Sequence, residues 1–305
     1  MEIKLIENLS NDEYHNGEEF KDYWSSSNIK EYLNSPREAY YQKFVAEHEN
    51  KDAFMFGSQL HDFLASKHFK GQPFSWNVFE PPINPSTKNP YGKDSDKYKA
   101  ALSQIQNPIS CEDMESIYDI WDMILKSDYA WFVQKELLCS GLSEPSIFID
   151  GLHKYKIRLD IVNDKYIFDY KSIDKRNWSA SKLQSRIIGY GYDISGSMYQ
   201  YFEHQRTGIW KPFIIIWIMK EPPYDILISD ISQYCFENIG NGEVVINSGA
   251  NVFMKLKDQH EACQMANNWP GLANQFDAYN GIRIPKFSPL FERGYDMFEI
   301  DIDNF

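Results

Sequence analysis

Asp160, Asp169 and Lys171 lie close in the sequence and could act chemically as one unit. The runs around them, Lys154–Val162 and Lys165–Lys171, alternate apolar and polar residues with the period of two expected of strands. Asn163-Asp164 between them is a turn signal. A two-residue hairpin there sets Val162 opposite Lys165 and Asp160 opposite Ile167. Side chains alternate faces along a strand, so Ile167, Asp169 and Lys171 share the face of Asp160. The two aspartates become diagonal neighbours, about 7–8 Å apart at Cα. Ile157, Leu159 and Ile161 point the other way, into a core.

Two carboxylates pressed together on a sheet repel, and the natural compensations are a shared proton or a divalent cation. Lys171 favours the cation in the service of phosphodiester chemistry. Its ammonium can steady negative charge on a phosphate or orient an attacking water. A surface salt bridge of Asp160 or Asp169 with Arg158 or Lys171 fits the same spacing, and spacing alone does not separate the two readings. A structural protein with a superficial acidic pair would lack a pocket there. A sugar hydrolase with paired carboxylates would not need the lysine.

A second feature lies upstream, in Phe56-Gly57-Ser58-Gln59-Leu60-His61. Phe56, Leu60, Phe63 and Leu64 give the run Ala53–Ser66 helical spacing. Gly57 permits close approach to another backbone. His61 sits one residue off the apolar stripe, where its ring could reach an adjoining sheet.

Other elements must hold these groups. Ser27 is a candidate N-cap for a helix over Asn28–Leu33, and a second helix follows over Arg37–Phe44. Residues 70–96 are rich in Pro, Asn, Gly and Lys and read as a long loop. Residues 97–141 return to helical spacing, with Ile117, Ile120, Trp121 and Ile124 on one face. Ser146–Asp150 reads as a strand, joined to the next at Asp150-Gly151. A helix over Ser181–Thr207 follows, then a buried strand Pro212–Met219, a strand near Tyr224–Ile228 and a helix over Asn251–Asn268. The tail Met297–Phe305 alternates apolar and acidic residues, as in an edge strand, a frayed terminus or a partner-docking tail.

Composition sets the outer bounds. The 305 residues are 43% hydrophobic and 25% charged, enough for a sizeable core. The 20 Tyr, 20 Phe and 8 Trp suit a bulky core, or stacking platforms for unpaired bases. The net charge of −13 is unlike that of a basic duplex binder. Catalytic cations and a locally basic groove would offset it, with Lys154, Lys156, Arg158, Lys175, Arg176 and Lys182 the candidates. Cys111, Cys139, Cys235 and Cys263 lack CxxC spacing and fit a reducing cytoplasm. No signal peptide is expected. The longest apolar run, Pro212–Met219, is too short to span a bilayer, so no membrane partner is expected.

The chain resembles the RecE/exonuclease VIII group of the PD-(D/E)XK nuclease superfamily, close to its RecB-type branch. The resemblance runs from about Ser10 to Glu221. It rests on Asn11–His15, the serines 25–27 leading into Leu33-Asn34-Ser35-Pro36, the Phe56–His61 segment, Glu144–Phe148, Arg158–Val162 and Phe168–Ser172. It implies an α/β fold with a mixed central sheet, antiparallel around the motif and flanked by helices. A single nuclease domain is expected over 1–305, with a helical part to about 141, a catalytic core over about 142–230 and, beyond the resemblance, an elaboration over 231–305 that completes the domain or forms an oligomer contact. Asp160, Asp169, His61 and the Tyr170 carbonyl would hold one or two Mg or Mn ions, and Lys171 would be catalytic. Glu144 would be an additional acidic residue, although a simple turn at Asp150-Gly151 puts it on the face opposite Asp160. Tyr199, Gln200 and Arg158 would touch substrate. Ser195 stands where the branch carries glutamine, which also suits a non-catalytic binding protein of the same fold. No iron–sulfur cluster is expected. The implied activity is 5′-to-3′ digestion of double-stranded DNA in phage-type recombination. The implied partners are linear duplex ends, a ring-like homo-oligomer and a single-strand annealing protein.

Overall fold

The computed structural model describes residues 2–46, 52–272, 276–279 and 282–285, and side chains over 2–46 and 55–272. The chain opens with β1 (Glu2–Ile6), α1 (Asn11–Asn16), α2 (Ser26–Lys30), α3 (Pro36–Phe44) and α4 (Asp52–Ser66). Next come β2 (Asn77–Phe79), α5 (Asp96–Leu102), β3 (Pro108–Ser110), α6 (Cys111–Lys126) and α7 (Ala130–Phe132). The central stretch holds β4 (Leu142–Ser143), β5 (Ser146–Asp150), β6 (Tyr155–Arg158), β7 (Ile161–Val162) and β8 (Ile167–Ile173). Two helices, α8 (Ala180–Gly189) and α9 (Tyr192–Thr207), lead to β9 (Phe213–Met219) and β10 (Asp225–Asp230). The hairpin β11 (Phe236–Gly240) and β12 (Glu243–Ile246), the helix α10 (Ser248–Ala266), and β13 (Phe276–Tyr279) with β14 (Ile282–Pro285) complete it.

The main sheet has the order β10-β9-β8-β7-β4. Only its β8·β9 pair is parallel. Parallel neighbours need a long crossover, which α8 and α9 supply. A strand covered on both faces can be apolar throughout. Phe213–Met219 meets that condition, with every residue buried. Phe213, Ile215 and Trp217 join a core with α2, α8, α9 and α10. Ile214, Ile216 and Ile218 join another with α4 and α6. Each such side chain contributes about 1.5–3 kcal/mol by leaving water. Gly196 lets α9 lie directly on the sheet, since a Cβ there would stand 2.2 Å from Phe213 Cδ1. The mixed sheet between helical layers is the α/β architecture the sequence implied. A smaller sheet, β1-β5-β6, stands beside it.

Several local expectations are corrected. The stretch Lys154–Val162 is not one strand, because Leu159 and Asp160 separate β6 in the small sheet from β7 in the main one. Ile157 and Leu159 therefore enter one core while Ile161 enters the other. The turn after β7 is not the two-residue hairpin at Asn163-Asp164. Val162 pairs with Ile167 and Ile161 with Phe168, so the connection spans 163–166. Asn163 Oδ1 closes it by accepting from the Lys165 and Tyr166 N–H groups at 2.8 Å each. An asparagine that satisfies its own turn in this way stabilises the longer loop. The helix over Ser181–Thr207 breaks at Tyr190-Gly191, with Gly191 left-handed at φ 65. Ser25, not Ser27, caps α2 by accepting from the Asn28 N–H. The expectation for Met297–Phe305 lies outside the described residues.

One core contact predicts acid lability. His260 is wholly buried beside Trp24, with Nδ1 2.9 Å from the Tyr32 hydroxyl. Burial, then His153 and Lys257, push its pKa down to about 3. The unfolded chain takes up this proton near pH 6.5, whereas the folded chain does so only near 3. The stabilising contribution is thus complete above about 6.5 and falls by about 1.4 kcal/mol per unit of pH below it. Urea unfolding at pH 7 and pH 5 should show this slope in the parent and a shallower one in His260→Gln. Equal slopes would remove His260 from the account.

Candidate functional site

Asp160 sits where the two sheets part. β7 covers only Ile167 and Phe168 of β8, so the rest of β8 has β9 on one edge and an open fork on the other. The Tyr170 N–H points into the fork and donates to Asp160 Oδ2 at 2.6 Å. The N–H and C=O of one strand residue point the same way, so the Tyr170 carbonyl also faces the fork. It accepts from Lys171 Nζ at 3.2 Å. The register pairs Val162 with Ile167 and Ile161 with Phe168 and ends there, so Asp160 does not stand opposite Ile167 as a two-residue hairpin would set it.

Helix α4 brings the imidazole. Leu60, Phe63 and Leu64 face the core, and His61 is turned toward the fork. A Cβ on Gly57 would lie 3.2 Å from Ser172 Oγ, so glycine lets α4 settle against β8. His61 Nε2 is 2.7 Å from Asp160 Oδ2, and its ring meets Tyr170 edge-on at 5.5 Å.

Glu144 also reaches the fork. Residues 150–154 form a longer connection than a simple turn, and Glu144 takes a positive φ of 50 between β4 and β5. Its N–H donates to the Asp160 carbonyl at 2.9 Å. Its carboxylate lies 3.9 Å from His61 Nδ1 and 3.2 Å from Arg158 Nη2. Asp169 forms an ion pair with Lys171, whose Nζ lies 5.2 Å from the Tyr192 ring centroid.

The electrostatics follow from two opposed pairs under partial cover. Burial works against charge on His61, but Asp160, its hydrogen bond and Glu144 outweigh it and push the imidazolium up to about 9. Burial would raise Asp160, yet His61, Lys171 and the Tyr170 N–H hold it below the usual carboxylate range. Asp169 goes the other way, raised by burial against the pull of Lys171 and with the repulsion of Asp160. Lys171 is raised despite burial, because Asp169 and Asp160 both favour its charge. Lys30 on α2 is lowered to about 8 by burial and then by Lys171.

The other sequence candidates divide. Tyr199 borders the fork: its hydroxyl is 3.3 Å from Ser26 Oγ, and burial followed by Asp169 raises it to about 12. Gln200 does not reach the fork. It is 1% exposed, its Nε2 donates to the Lys211 and Phe236 carbonyls, and its Oε1 accepts from the Phe236 N–H. Ser195 is buried on α9. Lys156 is buried too and donates to the Tyr14 carbonyl, which corrects its place among groove cations. Asp62 is a further acidic group here, outside the set expected from the sequence. One ligand atom each from His61, Asp62 and Glu144 lies within 4.8 Å of the others, and adjacency to His61 was the available signal. Asp62 also accepts from Trp76 Nε1 at 2.7 Å.

This donor set suits a hard divalent ion. Carboxylate oxygens and a carbonyl are hard donors that divalent ions take, and the imidazole is a borderline donor beside them. Asp169 Oδ2 is buried and, apart from the Lys171 contact, has no hydrogen-bond partner among the described residues. A buried oxygen so placed retains capacity for a cation.

Residues 25–279 match the family described as a PDDEXK-like domain of unknown function (DUF3799). Among solved structures, a crystal structure from Eubacterium rectale described as a "Putative exonuclease" is similar with a TM-score of 0.54 and 16% identity. The similarity covers 92% of this chain and 95% of that one, and shows a shared fold. No curated protein matches. All the fork residues lie within the matched span.

Proposed function

Because this chain belongs to the family of PDDEXK-like domains (DUF3799), we propose that it is a divalent-metal-dependent nuclease centred on the fork. One observation carries the reading: two partly buried ion pairs, His61 with Asp160 and Lys171 with Asp169, are bridged by the N–H and C=O of Tyr170 in one fork.

His61, Asp160, Asp169 and the Tyr170 carbonyl would hold Mg²⁺ or Mn²⁺, with Glu144 and Asp62 alongside. When bound, such an ion polarises a phosphate oxygen and lowers the pKa of water. Asp169 and Asp160 favour the charged form of Lys171, so its ammonium would orient the attacking water or steady charge on the phosphate. Arg158 holds Glu144, and Tyr199 lines the approach. DNA is the substrate, digested from the 5′ end of a linear duplex as in phage-type recombination. A ring-like oligomer and a single-strand annealing partner complete the proposal. Among the described residues no helix is long and apolar enough to cross a membrane.

End-labelled linear duplex with Mg²⁺ or Mn²⁺ tests this. The expected result is metal-dependent release of the 5′ label, abolished by chelator and in Asp169→Asn. A folded parent protein that releases no label with either metal would be a binding protein of the same fold, in keeping with Ser195 at the glutamine position.

A further inference from the structure

Tyr190 and Tyr192 flank Gly191 at the break between α8 and α9. The left-handed Gly191 brings the two rings to one side, parallel within 17° and 5.8 Å apart at their centroids. Lys171 lies over Tyr192, and the Arg186 guanidinium lies 4.9 Å from the centre of Tyr190. Lys30 crosses the break. Its Nζ donates to the Tyr190 carbonyl at 3.2 Å, and its Cδ stands 2.7 Å from where a Gly191 Cβ would be. Two stacked rings thus lie between two cations, running from the fork outward as Lys171, Tyr192, Tyr190, Arg186. Tyr190 remains 55% exposed at the outer end, so core packing does not account for it.

From this arrangement we infer that the Tyr190–Tyr192 shelf is a subsite for an unpaired base of the DNA strand whose phosphate sits at Lys171. The inference rests on the nuclease reading of the fork and adds that the strand enters locally single-stranded. Bases within a duplex already cover one another's faces, whereas an unpaired base gains by stacking on an aromatic ring. A base arriving on Tyr190 takes the place of Arg186. That guanidinium then turns to a phosphate, where it makes charge-assisted hydrogen bonds. Lys30 supplies a second cation beside the same nucleotide.

Metal-free fluorescence anisotropy isolates binding from cleavage. The probes are a blunt duplex and the same duplex with a short single-stranded end. The parent should bind the second more tightly. Tyr190→Ala should lose roughly 5- to 150-fold in affinity for it, the range expected for one stacked base, with little change for the blunt probe. Tyr190→Phe should retain parent affinity, because the ring rather than the hydroxyl stacks. With metal present, Tyr190→Ala should raise KM on the single-stranded end more than it lowers kcat. Equal parental affinity for the two probes, or unchanged binding by Tyr190→Ala, overturns the subsite. Failure of the nuclease reading would appear separately, as absence of label release by the parent.

Discussion

Lys171→Met should hydrolyse DNA roughly 10²- to 10³-fold more slowly than the parent, the range for removing one preorganised group that meets developing charge. The ammonium is held in place by Asp169 and by the Tyr170 carbonyl, so it is positioned before substrate arrives. Its loss also leaves Asp169, already raised by burial and by Asp160, without its counter-charge. Asp169→Asn should be at least as slow. The double variant should be no slower than the slower single, because groups acting as a unit are not additive. Single-turnover rates with circular dichroism as the folding check give the answer. Parent-like turnover by a folded Lys171→Met would remove the lysine from the chemistry.

Manganese should raise the melting temperature of the parent by several degrees. A ligand at about 100 times its Kd stabilises the folded state by about 2.7 kcal/mol, and each kcal/mol moves a chain of this size by roughly 2–4 °C. The ion would meet the carboxylates of Asp160, Asp169 and Glu144, whose present partners are His61, Lys171 and Arg158. Uptake displaces the proton between His61 and Asp160, so binding weakens in acid. Asp160→Asn and His61→Ala should each abolish most of the shift in a calorimetric scan. A parent whose melting ignores millimolar Mn²⁺ would contradict a metal centre at the fork.

Much of the fold can be read from periodicity. Phe213–Met219 is apolar at every position because both its faces are covered, and that pattern survives without coordinates. The apolar stripe of α4 and the off-stripe His61 can be read in the same way. The register at the fork cannot. Asn163-Asp164 is a strong two-residue turn signal, yet the side chain of Asn163 satisfies a four-residue loop instead. Nor does alternation reveal that Leu159 and Asp160 leave both ladders, since a strand that changes sheets keeps its period. Gln200 had the right residue type near Tyr199, but its backbone partners at Lys211 and Phe236 are remote in sequence.

The sequence by itself determined which groups could do the chemistry, because residue type and periodicity are local properties of the chain. Tertiary structure alone decided that the sheets part at Asp160, that Glu144 swings in beside His61, and that Tyr190 and Tyr192 form a shelf leading from Lys171. Those outcomes depend on loop closure and on contacts between residues far apart in the chain. Their free energies are settled only when the whole core has packed.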